Sequence, residues 1–185
     1  MNRLLSRLKL WQKIVVIICT FTLPLGVLGV FVFHGYHRDI QFAQMEKYGN
    51  EYQRPLEDLL DAIPQHQSLC SRFIAGDKQL KSDISSKAAQ IDKAFEALES
   101  VDAKIGLILQ FTEEGLAKRK REHVRVRNVK GEWLALKNQA DKLSAEACQE
   151  QHAHLVADIR TMITHSGDQS NLILLTIAFY SDISC

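Results

Sequence analysis

The chain has 185 residues, with 23 Lys and Arg against 22 Asp and Glu, 46% hydrophobic residues, and only 9 Gly and 3 Pro. That length is one domain with at most an appendage. The composition excludes a wholly disordered chain and a collagenous one, and 4 Cys are too few for a disulfide-built scaffold. The near balance of charge joins two unlike pieces: residues 1–13 carry Arg3, Arg7, Lys9 and Lys13 with no acid, so the remainder is net negative.

Ile14–Phe33 is twenty residues without a charge. As a helix it would span roughly 30 Å, the thickness of a bilayer's hydrocarbon core. Thr20 and Thr22 can bond back to their own helix, and a break at Pro24 is tolerated in membrane spans. A cleaved signal peptide would have a shorter apolar run and small residues at its end. Here the run closes on Val30, Phe31, Val32 and Phe33. The segment is therefore read as an uncleaved transmembrane helix over 14–33, with 1–13 as a cytoplasmic basic stub under the positive-inside rule. Everything from 34 onward then lies outside the cytoplasm, because Leu172–Tyr180 is too short to cross back.

The exported part reads as all-α. Ile84, Ala88, Ile91, Phe95, Leu98, Val101, Ile105 and Ile108 fall at steps of four and three, with a slip at Val101. A second stripe runs Val129, Trp133, Leu136, Ala140, Leu143, Ala147, and a third Leu155, Ile159, Met162, widened by Val156 and Ile163. Residues 34–74 are less regular, and Pro55 and Pro64 should kink or break them. Ala75-Gly76-Asp77 reads as a helix stop with a cap candidate, hence a corner. Ser144 can cap a fourth helix, although the second stripe would also allow one continuous helix. His123-Val124-Arg125-Val126-Arg127 alternates like a strand but is too short to outweigh its surroundings. Four helical segments on a tether predict an elongated antiparallel bundle.

The layout of basic stub, one span and helical module resembles the N-terminal part of bacterial methyl-accepting chemotaxis proteins and related sensor histidine kinases. Glu51-Tyr52-Gln53-Arg54-Pro55-Leu56-Glu57-Asp58-Leu59-Leu60 is similar to those receptors. So are the run from Ile91-Asp92 to Val101-Asp102, Trp133-Leu134-Ala135-Leu136-Lys137, and Gly167-Asp168-Gln169-Ser170-Asn171-Leu172-Ile173-Leu174. The resemblance implies an extracytoplasmic sensor over 34–174 in a bacterial inner membrane, with its C-terminal domain periplasmic. It implies a homodimer, an unknown small-molecule ligand and signalling by small helix shifts. It breaks after Leu174, where similar receptors continue into Asp-Pro, another long helix, a second span, a HAMP linker and an output domain. The chain instead ends LTIAFYSDISC. Residues 175–185 therefore read as an aberrant or disordered tail left by a frameshift or premature stop, and the sensor as incomplete and lacking its output. Descent from a histidine kinase, or a membrane-anchored scaffold that docks a partner protein, are the alternatives.

Side-chain chemistry narrows the function classes. His152 and His154 are two apart and point away from each other on a helix, and Glu150 with His154 supplies only two ligands. His66, His123 and His165 show no partner in sequence. No metal and no cofactor is expected. Cys70 and Cys148, in the first and fourth helical segments, would meet if those are neighbours, as buried thiols or as a disulfide. Cys19 belongs to the span, and Cys185 could pair only between molecules. Lys118, Arg119, Lys120, Arg121, Arg125, Arg127 and Lys130 form a basic run. Outside the membrane it reads as a solvated loop or a seat for an anion, not as a nucleic-acid site. Trp133 reads as core, with a ligand-lining role beside Arg72 or Arg160 as the minor reading. There is no Gly-rich phosphate loop, nucleophile elbow or Cys-x-x-Cys pair, so an enzyme is not expected. Membrane lipid is the one partner the sequence itself requires.

Overall fold

The computed structural model describes residues 9–139, 143–170 and 172, without the side chains of 37–39. The tail at 175–185 with Cys185, residues 1–8 of the stub, and Ala140 of the second stripe lie outside the described residues. Among the described residues there is no strand. The elements are α1 (Leu10–Ile74), α2 (Lys81–Val101), a π-type segment (Asp102–Gly106), the short α3 (Glu113–Ala117), α4 (Val126–Gln139) and α5 (Ala145–Ser170). Short 3₁₀ turns sit at Lys78–Leu80 and Glu122–Val124. Contacts divide the chain into two compact units, Met1–Ala43 and Gln44–Cys185.

In the first unit, α1 carries an apolar window with mean hydropathy 2.6, none of it buried. Its side chains point outward throughout, Phe31 being 72% and Leu25 67% exposed. By length and composition this is the one helix among the described residues able to cross a membrane.

The second unit has a single apolar core. Tyr52, Leu56, Leu59 and Ile63 of α1, Ile91, Phe95 and Leu98 of α2, Val129, Trp133 and Leu136 of α4, and Leu155, Ile159 and Met162 of α5 are all buried in it. All three expected stripes face inward for most of their length. Burying each such side chain contributes about 1.5–3 kcal/mol before the entropy of ordering it.

Two expectations are corrected. Neither Pro55 nor Pro64 ends α1, which runs unbroken from Leu10 to Ile74. Each proline removes one amide donor, but Tyr52, Leu56, Leu59, Ile63, His66 and Cys70 recur at steps of four and three on the buried side. Packing on that face holds the helix through both. The first stripe also leaves its register. Ile108 is 41% exposed and Leu109 is fully buried in its place. The π-type segment beginning at Asp102 rotates the chain just after the slip at Val101.

Three helix ends close in the same way. At the end of α1 the Asp77 amide donates to the Arg72 carbonyl and the Gly76 amide to Phe73, with Gly76 at φ 121°. The pattern repeats with Phe111 on Gly106 around Gln110 (φ 57°), and with Arg121 on Leu116 around Lys120 (φ 54°). These are Schellman ends. The Asp77 side chain makes no cap bond, and its carboxylate accepts from Arg72 at 3.2 Å. Ser144 does cap α5, accepting from the Ala147 amide at 3.2 Å, so α4 and α5 are separate helices. Gly49 of α1 meets Ser170 and Leu172 so closely that a Cβ there would clash.

Candidate functional site

The densest polar chemistry lies inside the core, between α1 and α5. His66 and Cys70 stand one turn apart on α1, and Cys148 and His152 one turn apart on α5; all four are buried. Four-residue spacing stacks each pair on one helix face. His66 Nδ1 lies 2.9 Å from His152 Nε2. Cys70 Sγ is 3.6 Å from His66 Nδ1, and Cys148 Sγ is 3.6 Å from His152 Nδ1. The Cys70 and Cys148 thiols lie close enough to act on each other.

The protons in this cluster can be placed. A carbonyl only accepts, so His152 Nδ1–H must donate to the Cys148 carbonyl oxygen at 2.6 Å. Burial lowers the His152 pKa, against a smaller raising effect of that carbonyl, so the ring is neutral at pH 7. Its Nε2 therefore carries a lone pair and accepts from His66 Nδ1–H. Burial, then the neighbouring His152, bring the His66 pKa down to about 4. Burial likewise raises the Cys148 thiol, outweighing the lowering effect of Cys70. Four neutral donors converge on one small volume.

Trp133 closes the cluster on one side. Its ring meets that of His66 edge-on at 5.0 Å, and its Nε1–H donates to Asp92 at 2.8 Å. Desolvation works against the charge on Asp92, but hydrogen bonds from Lys137 and Trp133 prevail and hold its carboxyl below the usual range.

A second group lies nearer the surface. Glu132 Oε2 is 3.2 Å and Asp158 Oδ2 3.6 Å from His154 Nδ1, and His123 Nε2 is 3.7 Å from Asp158 Oδ1. Asp158 is buried; Glu132 and His154 are exposed beside a groove of about 280 Å³ between α4 and α5. Three oxygen and nitrogen donors there lie within 4.8 Å of one another, and Asp158 Oδ2 makes no hydrogen bond.

The residues singled out from sequence fall as follows. Trp133 is fully buried, in keeping with its core role. Arg72 is exposed and paired with Asp77, and Arg160 lies on an exposed face of α5. His152 is buried while His154 is exposed, as their two-residue separation predicts. Cys70 and Cys148 do meet, as thiols. His66, without a visible partner in sequence, has three: His152, Cys70 and Trp133. The missed signal is the mirrored spacing His66-x-x-x-Cys70 and Cys148-x-x-x-His152. Much of the basic run is neutralised within the protein: Arg119 and Arg121 pair with Asp168, Arg125 with Glu113 and Lys130 with Glu99.

No protein-family model, no curated protein and no solved structure matches this chain.

Proposed function

We propose that the chain is a membrane-anchored, extracytoplasmic sensor whose second unit is an antiparallel helical bundle, as in the N-terminal part of chemotaxis receptors. The observation that carries this reading is α1 itself. One helix holds the charge-free stretch 14–33, with its side chains exposed, and the core residues Tyr52 to Cys70. A soluble protein has no reason to expose Phe21, Leu25, Phe31 and Phe33 on every side of a helix, whereas lipid solvates such a surface. Trp11 and Tyr36, both exposed, flank the stretch where interfacial aromatic residues belong.

An antiparallel order of α1 and α5 is supported by two contacts in opposite senses, Gly49 with Ser170 and His66 with His152. Basic residues before the span favour a cytoplasmic N-terminus, with Gln44 onward on the far side. In this reading a ligand alters the packing of α1 against its neighbours, and the change is signalled through the membrane as a helix displacement, within a homodimer. The test is topology. In intact bacterial cells, an impermeant amine reagent should label Lys118, Lys120 and Lys130 from outside the inner membrane. Labelling only after that membrane is opened would reverse the orientation and end the proposal.

A further inference from the structure

We infer that His66, Cys70, Cys148 and His152 form a tetrahedral site for a soft divalent metal, Zn²⁺ in the first instance. This stands apart from the sensor reading and does not require it.

The geometry comes first. Donor atoms of His66, Cys70 and His152 lie within 4.8 Å of one another. Cys148 Sγ stands outside that triad, 3.6 Å from His152 Nδ1, and has to turn about its Cα–Cβ bond to take the fourth position. Zinc bonds of roughly 2.3 Å to sulfur and 2.0–2.1 Å to nitrogen imply tetrahedral edges of about 3.5 Å for S···N and about 3.3 Å for N···N. The Cys70 Sγ to His66 Nδ1 distance of 3.6 Å already fits. The 2.9 Å between the imidazole nitrogens has to open by a few tenths of an ångström, because a metal replaces the proton between them.

The outer partners come second. A metal-bound histidine almost always donates its other N–H to a carbonyl or carboxylate. His152 does so to the Cys148 carbonyl at 2.6 Å, which leaves Nε2 bare and aimed at His66. Asp92, oriented by Trp133 and Lys137, supplies negative charge next to His66.

Charge and donor type come third. Two thiolates and two neutral imidazoles around Zn²⁺ sum to zero, which suits a buried volume that would penalise any net charge. The S₂N₂ set selects zinc over Mg²⁺ or Ca²⁺, which take oxygen. The proton balance is explicit. Binding releases one proton from each thiol, while the His66 proton moves from Nδ1 to Nε2, so two protons leave per metal. The ordinary alternative is a buried polar network that needs no ion. It would account for the His66–His152 bond, but not for two sulfur donors placed one turn from each imidazole on both helices.

The test uses the full chain in detergent micelles, freed of metal under reductant and titrated with Co²⁺ and then Zn²⁺. One equivalent of Co²⁺ should give intense tetrahedral visible absorption and a thiolate-to-metal charge-transfer band, both removed by Zn²⁺. Zn²⁺ should raise the melting temperature and release two protons per ion. Cys148→Ser should abolish the charge-transfer contribution of that sulfur and weaken Zn²⁺ by at least ~10-fold. Glu132→Gln, at the other carboxylate–histidine group, should leave the spectrum unchanged. Cys70→Ser provides a second variant should Cys148→Ser not fold. Absence of Co²⁺ uptake overturns the assignment, as does uptake without a thiolate band. A Cys70–Cys148 disulfide in protein alkylated at the moment of cell lysis overturns it too.

Discussion

Two buried polar groups in the same core solve the same problem differently. Around Tyr52 the solution is closed. The phenol donates to Asp102 at 2.7 Å, Phe111 stacks on its ring at 4.2 Å, and His165 packs edge-on against Phe111 while reaching the Gln110 carbonyl. Burial, then the Asp102 charge, drive the phenol pKa upward. Burial also raises that of Asp102, against the phenol's bond and Arg125. One donor meets one acceptor, and each is fixed by the other. Around His66 the solution is convergent: two imidazoles and two thiols share one volume, and a single proton separates His66 Nδ1 from His152 Nε2. A closed pair fixes helix positions. A convergent set can also bind something.

Four changes break or sharpen this contrast, in order of size. Trp133→Ala removes a fully buried indole lying against His66 and should cost about 3–5 kcal/mol in thermal or denaturant unfolding. A loss below about 1 kcal/mol would mean that the indole does not wall the convergent group.

Acid should act mainly on the His66 side. Its folded pKa is near 4, below the ordinary 6.5, so folding excludes a proton that the unfolded chain takes up. Its contribution is complete above pH 6.5, declines as pH falls, and is gone once pH passes below about 4. The loss is on the order of 3 kcal/mol from His66. His152 and His165, both lowered chiefly by burial, act in the same direction. Unfolding followed between pH 8 and 4 should show that slope, and His66→Leu should flatten it. Equal slopes in parent and variant would place the proton uptake elsewhere.

Tyr52→Phe tests the closed group. It strips a donor from half-buried Asp102 and should cost about 1–3 kcal/mol, with little change in the acid slope. Smallest is Lys120→Gly. Lys120 is exposed in the left-handed region at φ 54°, where a Cβ costs about 1–2 kcal/mol, so glycine should stabilise by about 1 kcal/mol and leave both polar groups alone.

The ease of reading each helix from sequence varied for physical reasons. α2 and α4 announce themselves because apolar residues mark their buried faces, and α5 does so through Leu155, Ile159 and Met162, although its buried face also carries His152, Asp158, His165 and Ser166. α1 buries residues with the same regularity, but Tyr52, His66 and Cys70 occupy its stripe and Pro55 and Pro64 interrupt its donors, so hydrophobicity alone hides it. Ile108 goes astray because a five-residue π-type segment changes the phase after Val101. The core role of Trp133 was legible from its place in the second stripe. The four-donor group was only half legible. Each His–Cys pair stands in the sequence at a one-turn spacing, but nothing in periodicity says that the end of α1 lies against the start of α5. That neighbourhood is a property of the packed core.

The glycine at 49 acts as a spacer of zero thickness. Because nothing projects from α1 at that point, its backbone can rest on the Ser170 side chain, and one added methyl group has to act as a wedge. A graded series of Ala, Ser and Val at this position is thus a ruler for how far α1 and α5 can be prised apart before the core gives way.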